Sequence, residues 1–303
     1  MHPAPLGTYP LDDISRALAG KGLSLDVTGF RCRVRSDQGG TLAAPIRQLY
    51  ADYPAALEPQ GFHDLDIDLH RRRSGLFSRE VAFGWDGQSP FPSLPESQAH
   101  PLFEWGLNWC IATLSGERVV IHAAVLEKDG GALVLPGDPG SGKSTLCAEL
   151  CLSGWRLLSD ELTIISRENG LVQPIPRPIS LKDTSIRLIQ GRHPGVEMTT
   201  PITDTRKGAI AYVRPPADAV RRWTEAVPIR HVLFPRYVAA SPLAATPRSR
   251  ARVLTLLLEN TFNVGLLGTS GFTALAQAIA GAGGHEIEYG SLDDVVAWLG
   301  SVW

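Results

Sequence analysis

The stretch LPGDPGSGKSTLCAEL, Leu135 to Leu150, constrains this chain more than any other. Gly137, Gly142, Lys143 and Ser144 satisfy the pattern G-x-x-x-x-G-K-[ST]. The apolar run GALVLP before it predicts a strand. STLCAELCLSG after it has helical spacing and stops at Gly154. A strand, a glycine loop and a helix in that order turn successive backbone N–H groups inward, making an anion nest at a helix N-terminus. Gly137, Gly140 and Gly142 relieve side-chain clash and permit positive φ. Gly137, Asp138, Pro139, Gly140, Ser141, Gly142, Lys143, Ser144 and Thr145 are therefore the expected binding segment for a nucleoside triphosphate. Lys143 supplies a point charge for the β/γ-phosphates, and Ser144 a hydroxyl ligand for Mg2+.

Composition bounds what surrounds the loop. The 303 residues suit one large or two modest domains. A chain 44% hydrophobic and 20% charged reads as a globular protein with an adequate core. A net charge of −2 gives no general attraction to nucleic acid or to an anionic membrane. No apolar run is long enough to span a bilayer. The start MHPAPLGTYPLDD lacks the basic and apolar regions of a signal peptide. The expectation is a cytoplasmic protein with no nucleic-acid and no membrane partner. Cys147 and Cys151 lie four apart on the loop helix, as a metal pair can, but no further ligand lies nearby. Buried thiols in a reducing compartment are expected there, and at Cys32 and Cys110.

Residues 1–90 read as a small α+β module. PLDDISRALAGKG and APIRQLYADYPA predict helices; LSLDVTGFRCRVRS and REVAFGWDG predict strands. In FHDLDIDLHRR, Leu65, Ile67 and Leu69 fall on one face of a strand, and Asp64, Asp66, Asp68 and His70 on the other. A solvated face accounts for the aspartates better than a metal site. The half-exposed sheet can recognise a substrate by strand addition. GQSPFPSLPESQAHP is a linker or a rigid arm, and 91–303 is the domain carrying the loop. Leu102, Trp105, Trp109 and Ala112 recur at helical spacing and predict a buried helix. VVIHAAVLE and GALVLPG flank KDGG, a hairpin signal. WRLLSDELTIIS reads as one strand. Hairpins beside the loop depart from the alternating βα pattern of most chains with this motif.

Phosphoryl transfer needs a metal carboxylate and a group that handles the nucleophile's proton. Asp160 and Glu161 are candidates. On a continuous strand they point to opposite sides, unless the strand ends there and the backbone turns. His122 sits in the apolar strand VVIHAAV, where a lone histidine is usually a core residue. Arg177, Lys182, Arg206, Lys207 and Arg214 cluster downstream. Lys207 and Arg177 are the preferred partners for spread negative charge, with Arg236 a third.

IHAAVLEKDGGALVLPGDPGSGKSTLCAELCLSGWRLLSDELTII resembles the catalytic core of bacterial HPr kinase/phosphorylase, over roughly residues 118–166. Through FEWGLNWC, IPRPISLKD and FPRYV, nearly the whole chain is similar to the proteobacterial HPr kinase-related kinases. The resemblance implies an α/β, mixed-sheet P-loop domain of the HPr kinase and phosphoenolpyruvate carboxykinase type, after the α+β N-terminal module. It implies ATP and Mg2+ as cofactors, with Ser144 and Asp160 or Glu161 as metal ligands. Asp160 takes the place of the acid that handles the acceptor's proton, Glu161 that of the second acid, and His122 that of the active-site histidine. It also implies a homo-oligomer. Two features depart from the family. Its second acid is aspartate, where this chain has Glu161. Its glycine-rich signature after the acids, tied to phosphorolysis and HPr docking, is replaced by IPRPISLKDTSIRLIQ. Neither HPr as acceptor nor a phosphorylase reaction is therefore expected. The expected activity is transfer of the γ-phosphate of ATP to a serine hydroxyl of a protein or peptide. A small-molecule kinase using the same site and a nucleotide-binding scaffold are the alternatives; two intact acids speak against the scaffold.

Overall fold

The computed structural model describes residues 3–74, 78–206 and 208–303. The fold is α/β with mixed sheets. The chain divides into two compact units, Met1–Thr113 with Glu197–Arg221, and Leu114–Val196 with Arg222–Trp303. Among the described residues no helix is long and apolar enough to cross a membrane.

In the first unit a seven-stranded sheet runs in the order Ala4–Pro5, Pro54–Ala56, Leu23–Val27, Phe30–Ser36, Leu65–Ser74, Ser78–Trp85, Leu94–Pro95. Its neighbours are antiparallel except Phe30–Ser36 and Leu65–Ser74, which are parallel. Directly paired residues share a face, so the register assembles the core: Leu25 opposite Cys32, Cys32 opposite Leu65, Leu69 opposite Phe83. All of these are buried. The opposite face is charged. Arg33 donates from Nε to Asp66 Oδ1 at 3.0 Å, and the backbone N–H of Arg31 donates to Asp64 Oδ2 at 2.8 Å. Asp66 is thus answered by the neighbouring strand's Arg33 and Arg35, and Asp68 by His70.

The helix Ala99–Leu114 packs with a different face from the one its tryptophans mark. Phe103, Gly106, Leu107 and Cys110 are buried, while Trp109 is 38% exposed and packs edge-on to Trp85 and Phe91. Phe91 also meets Phe83, so the proline-rich segment lies on the core as an arm. Gly106 decides the rotation: a Cβ there would fall inside the Phe83 ring. Gly106→Ala is expected to destabilise this unit by about 1–3 kcal/mol, because overpacking outweighs the better helix propensity of alanine. A urea midpoint read by the tryptophan fluorescence of this helix checks it; an unchanged or raised midpoint would refute the assignment.

The second unit is built on an eight-stranded sheet in the order Val172–Gln173, Leu162–Ile165, Val119–Lys128, Gly131–Pro136, Ile229–Tyr237, Gly283–Tyr289, Ala244–Pro247, with Arg156–Ser159 also paired to Val119–Lys128. Gly131–Pro136, Ile229–Tyr237 and Gly283–Tyr289 are mutually parallel. Val119–Ile121 and Ala123–Leu126 are buried at every position, the mark of a strand covered on both faces. Helices Arg250–Glu259 and Val264–Ala278 cover one face through Val253, Leu257, Ala274 and Leu275. The expected hairpin turns at Asp129 and Gly130, both at positive φ (50° and 77°), as a tight two-residue turn requires.

One expected strand is two. WRLLSDELTIIS forms Arg156–Ser159 and Leu162–Ile165, both antiparallel to Val119–Lys128. The register slips between Leu157 and Ser159, and the ladder is interrupted at Asp160 and Glu161. Ser159 Oγ accepts the N–H of Leu162 at 3.1 Å, closing a small turn around the two acids.

Candidate active site

Four elements of the second unit meet at this interruption. The strand Gly131–Pro136 runs into the glycine loop, and the helix Lys143–Leu152 leaves it. Gly142 stands at the helix start with φ 92°, and no side chain caps the helix. Its first N–H groups are left for an anion. The loop is tied by Ser141 N–H to Asp138 O at 3.1 Å and by Tyr237 N–H to Ser141 O at 3.0 Å. Asp138, Pro139 and Gly140 form its exposed crest, while Ser144 and Thr145 stand half-buried in the first helical turn.

Lys143 is only 7% exposed. Its Nζ donates to Gly137 O at 3.2 Å and lies 3.1 Å from His122 Nε2. The same His122 nitrogen is 3.1 Å from Glu161 Oε2. One ring nitrogen cannot donate to the carboxylate and accept from the ammonium at once. The three groups therefore compete for position. Burial pulls the Lys143 pKa below its ordinary value, against the opposing pull of Glu161 and Asp160. His122 owes its place to register: it is paired with Leu162, the first residue after the acids. Its N–H donates to Asn260 O at 2.8 Å, and its ring lies 5.8 Å from that of Phe262.

The charges of Asp160 and Glu161 both act on Lys143. Asp160 is buried, at 1% exposure. Its Oδ2 accepts the N–H of Ser180 at 3.1 Å. Its Oδ1 is buried with no hydrogen-bond partner among the described residues. Burial, and then Glu161, push the Asp160 carboxyl up to about 7, while Ser180, Lys143 and Ser144 pull the other way. Burial also raises Glu161, but His122, Lys143 and Lys182 outweigh it and leave that carboxyl below its usual range. Two adjacent acids thus have pKa values pushed in opposite directions.

Oxygen donors at the foot of an anion nest suit a hard cation, and a buried carboxylate beside the Ser144 hydroxyl is a donor set that fits Mg2+. No group of three or more His, Cys, Asp or Glu among the described residues could hold a metal by itself. Magnesium needs no such cage when substrate phosphates and water complete its shell. Cys147 and Cys151 are free and buried. Burial pushes the Cys151 thiol up to about 12 and raises Cys147 as well, which opposes the thiolate form a metal needs.

The downstream basic residues separate. Arg177 is buried, on a segment tethered by Ile175 N–H to Leu158 O at 2.7 Å and by Ser180 N–H to Asp160. Lys207 lies outside the described residues. Arg206 is exposed, and Arg214 is held by Asp52 and Glu197 at 2.7 and 2.6 Å, in the first unit. Arg236 pairs with Glu288 at 3.5 Å on the surface. Lys182, at the end of the strand Ile179–Lys182, is the basic residue that acts on both Lys143 and Glu161. Lys182 stands two residues past Ser180, the residue that bonds Asp160, and so on the same face of the strand, and nothing local to PISLKD signals this.

No family model matches the chain, and no curated protein matches it. Among solved structures, the Hpr(Ser) kinase/phosphatase from Coxiella burnetii is similar to it at 13% identity and a TM-score of 0.25, over 59% of this chain and 90% of that one. A likeness that distant carries no argument about activity.

Proposed function

We propose that this chain is an ATP-dependent, magnesium-requiring phosphotransferase that moves the γ-phosphoryl group to a serine hydroxyl of a protein or peptide. The observation that carries the proposal is Asp160: a buried carboxylate, its pKa pushed up to about 7, at a break in a strand beside the loop's lysine and serine. Burying an acid this way is costly, and holding a nucleotide does not require it. A base with its pKa near the working pH is what proton transfer from a hydroxyl requires.

The roles follow from position. The loop amides and Lys143 hold the β- and γ-phosphates, and Lys182 adds a second positive charge on the same side. Ser144 with Asp160 or Glu161 would hold Mg2+, which when bound neutralises charge on the phosphate oxygens. Asp160 takes the acceptor's proton as the hydroxyl oxygen bonds to the γ-phosphorus. The bond from that phosphorus to the β–γ bridging oxygen breaks, and ADP departs with the electron pair. Glu161 keeps His122 at the reacting end. Most of the acceleration comes from placement and charge rather than covalent chemistry. The preference for a serine acceptor rests on the sequence resemblance alone.

The test is incubation with γ-labelled ATP and Mg2+, with and without extract of the source cell, beside Lys143→Ala. Label is expected on one extract component, reduced about 100-fold or more by the substitution. ATP binding without transfer of label or release of phosphate would replace this reading with that of a scaffold.

A further inference from the structure

The carboxyl ends of three neighbouring parallel strands meet at one place. Gly131–Pro136 enters the glycine loop, while Ile229–Tyr237 and Gly283–Tyr289 each end on a tyrosine. Ligands of open α/β sheets sit outside such carboxyl ends. Both tyrosines are built against the loop. Tyr237 donates its backbone N–H to Ser141 O at 3.0 Å. A Cβ added to Gly142 would come within 2.6 Å of the Tyr289 phenol oxygen and 3.1 Å of Tyr237 Cβ. Tyr289 is buried, at 1% exposure, whereas Tyr237 is 50% exposed. Their rings meet edge to face, with centroids 5.8 Å apart at 69°. The inner ring is a fixed support for the outer, and the outer leaves much of its surface to solvent beside the loop.

The rest of the site sets a direction. His122, Asp160 and Glu161 lie on the Val119–Lys128 side of the loop strand, and the tyrosines lie on the Ile229–Tyr237 side. A triphosphate whose terminal phosphate points to the acids has its nucleoside pointing away from them. We infer that Tyr237 is a nucleobase platform, on whose exposed ring the base of the bound nucleotide stacks while Tyr289 holds that ring from behind. The inference rests on the nucleotide reading above. Every base has a π-face, so a platform of this kind raises affinity without choosing between adenine and guanine.

The substitution Tyr237→Ala tests it cleanly, because alanine keeps both the Cβ packed on Gly142 and the N–H bonded to Ser141. Full-length wild type, Tyr237→Ala and Tyr237→Phe are titrated calorimetrically with MgATP and with magnesium tripolyphosphate, which has the phosphates and no base. Tyr237→Ala is expected to weaken MgATP about 10-fold or more and to leave tripolyphosphate within about twofold. Tyr237→Phe is expected to bind MgATP within about threefold of wild type, since stacking uses the ring and not the hydroxyl. Equal losses on both ligands would make Tyr237 a support of the loop, and no loss on either would put the base elsewhere; each overturns the platform alone. Wild type that binds neither ligand would overturn the nucleotide reading and the platform with it.

Discussion

Asp160→Asn is expected to lower kcat/KM for phosphoryl transfer by about 1,000-fold or more, and to make the protein harder to unfold at pH 8. Both results have one cause. Asn is nearly isosteric and its amide oxygen can still accept the N–H of Ser180, but it cannot take a proton from a hydroxyl. The carboxylate it replaces is destabilising where it sits. Burial and the neighbouring Glu161 push the Asp160 carboxyl up to about 7 in the folded protein, from an ordinary value of 3.8. Between those values the folded chain holds a proton that the unfolded chain has released. Stability therefore falls as pH rises across that window and stays lowered above it. Asparagine removes the penalty, so its gain is full at pH 8, shrinks as pH falls below 7 and vanishes only below the ordinary value of 3.8, where both states are protonated. A shift of this size corresponds to about 4 kcal/mol. Urea midpoints of the ligand-free proteins at pH 8 and pH 4.5 read the decline of this gain directly, and the wild-type rate should fall on the acid side near the same pKa. Transfer that survives in Asp160→Asn would move the base elsewhere. A variant less stable at pH 8 would mean the carboxylate is a structural group.

A gain in stability on removing the carboxylate would be the sign of a site kept strained for chemistry. The strand break at this residue has no local signature in the sequence. RLLS and LTII are both apolar and β-prone, and nothing local separates them. The interruption comes from pairing both halves to one strand with a slipped register, and from the Ser159 hydroxyl turning back on Leu162. What is legible is local. The Asp129–Gly130 turn, the glycine loop and the alternation of Leu65, Ile67 and Leu69 each follow from a few adjacent residues. Features set by distant packing are not. The tryptophan spacing of LFEWGLNWC points to one helix face, but Phe83, far away in sequence, fills the space at Gly106 and selects another. The helix Thr184–Arg192 escaped notice because its sequence is polar; it is held by Arg192, which bonds Glu149 of the loop helix at 2.8 and 2.9 Å. Among the basic residues, Lys182 reaches Glu161 because the chain returns past Asp160 at Ser180, a path no local pattern announces. For the same reason Glu197–Arg221, late in the chain, packs with the first unit.

The strand that carries His122 is anchored at its far end by a buried ion pair, and removing one partner is expected to have the largest effect on stability. Arg156 and Glu127 are each 7% exposed. Arg156 donates from Nε to Glu127 Oε2 at 2.7 Å, and from its two terminal nitrogens to Arg222 O at 3.0 Å and Glu225 O at 3.1 Å. Glu127 Oε1 accepts Gly130 N–H at 2.7 Å, which ties the hairpin turn into the same network. Burial pushes the Glu127 carboxyl up, but Arg156, Gly130 and Arg222 together hold it below its usual range. Arg156→Ala would leave that charge buried with only the turn's N–H and the more distant Arg222, 3.9 Å away, and would remove the donor to two carbonyls. The expected cost is about 3–5 kcal/mol. Because the folded pKa is lowered, the pair's contribution is present above about pH 4.5 and lost as pH falls through the folded value, so the deficit of the variant should shrink in acid. The double substitution Arg156→Met with Glu127→Leu should recover most of the loss, since an apolar pair of similar volume needs no counter-charge. Urea midpoints of the two variants at pH 7 and pH 4 decide the matter. A loss below about 1 kcal/mol for Arg156→Ala would show a pair that water can answer. If the double variant regains stability and still binds MgATP as wild type does, then the ion pair holds the strand in place without taking part in the site. If it regains stability and binds poorly, the pair also sets the register that carries His122 to Glu161 and Asp160 to the loop helix.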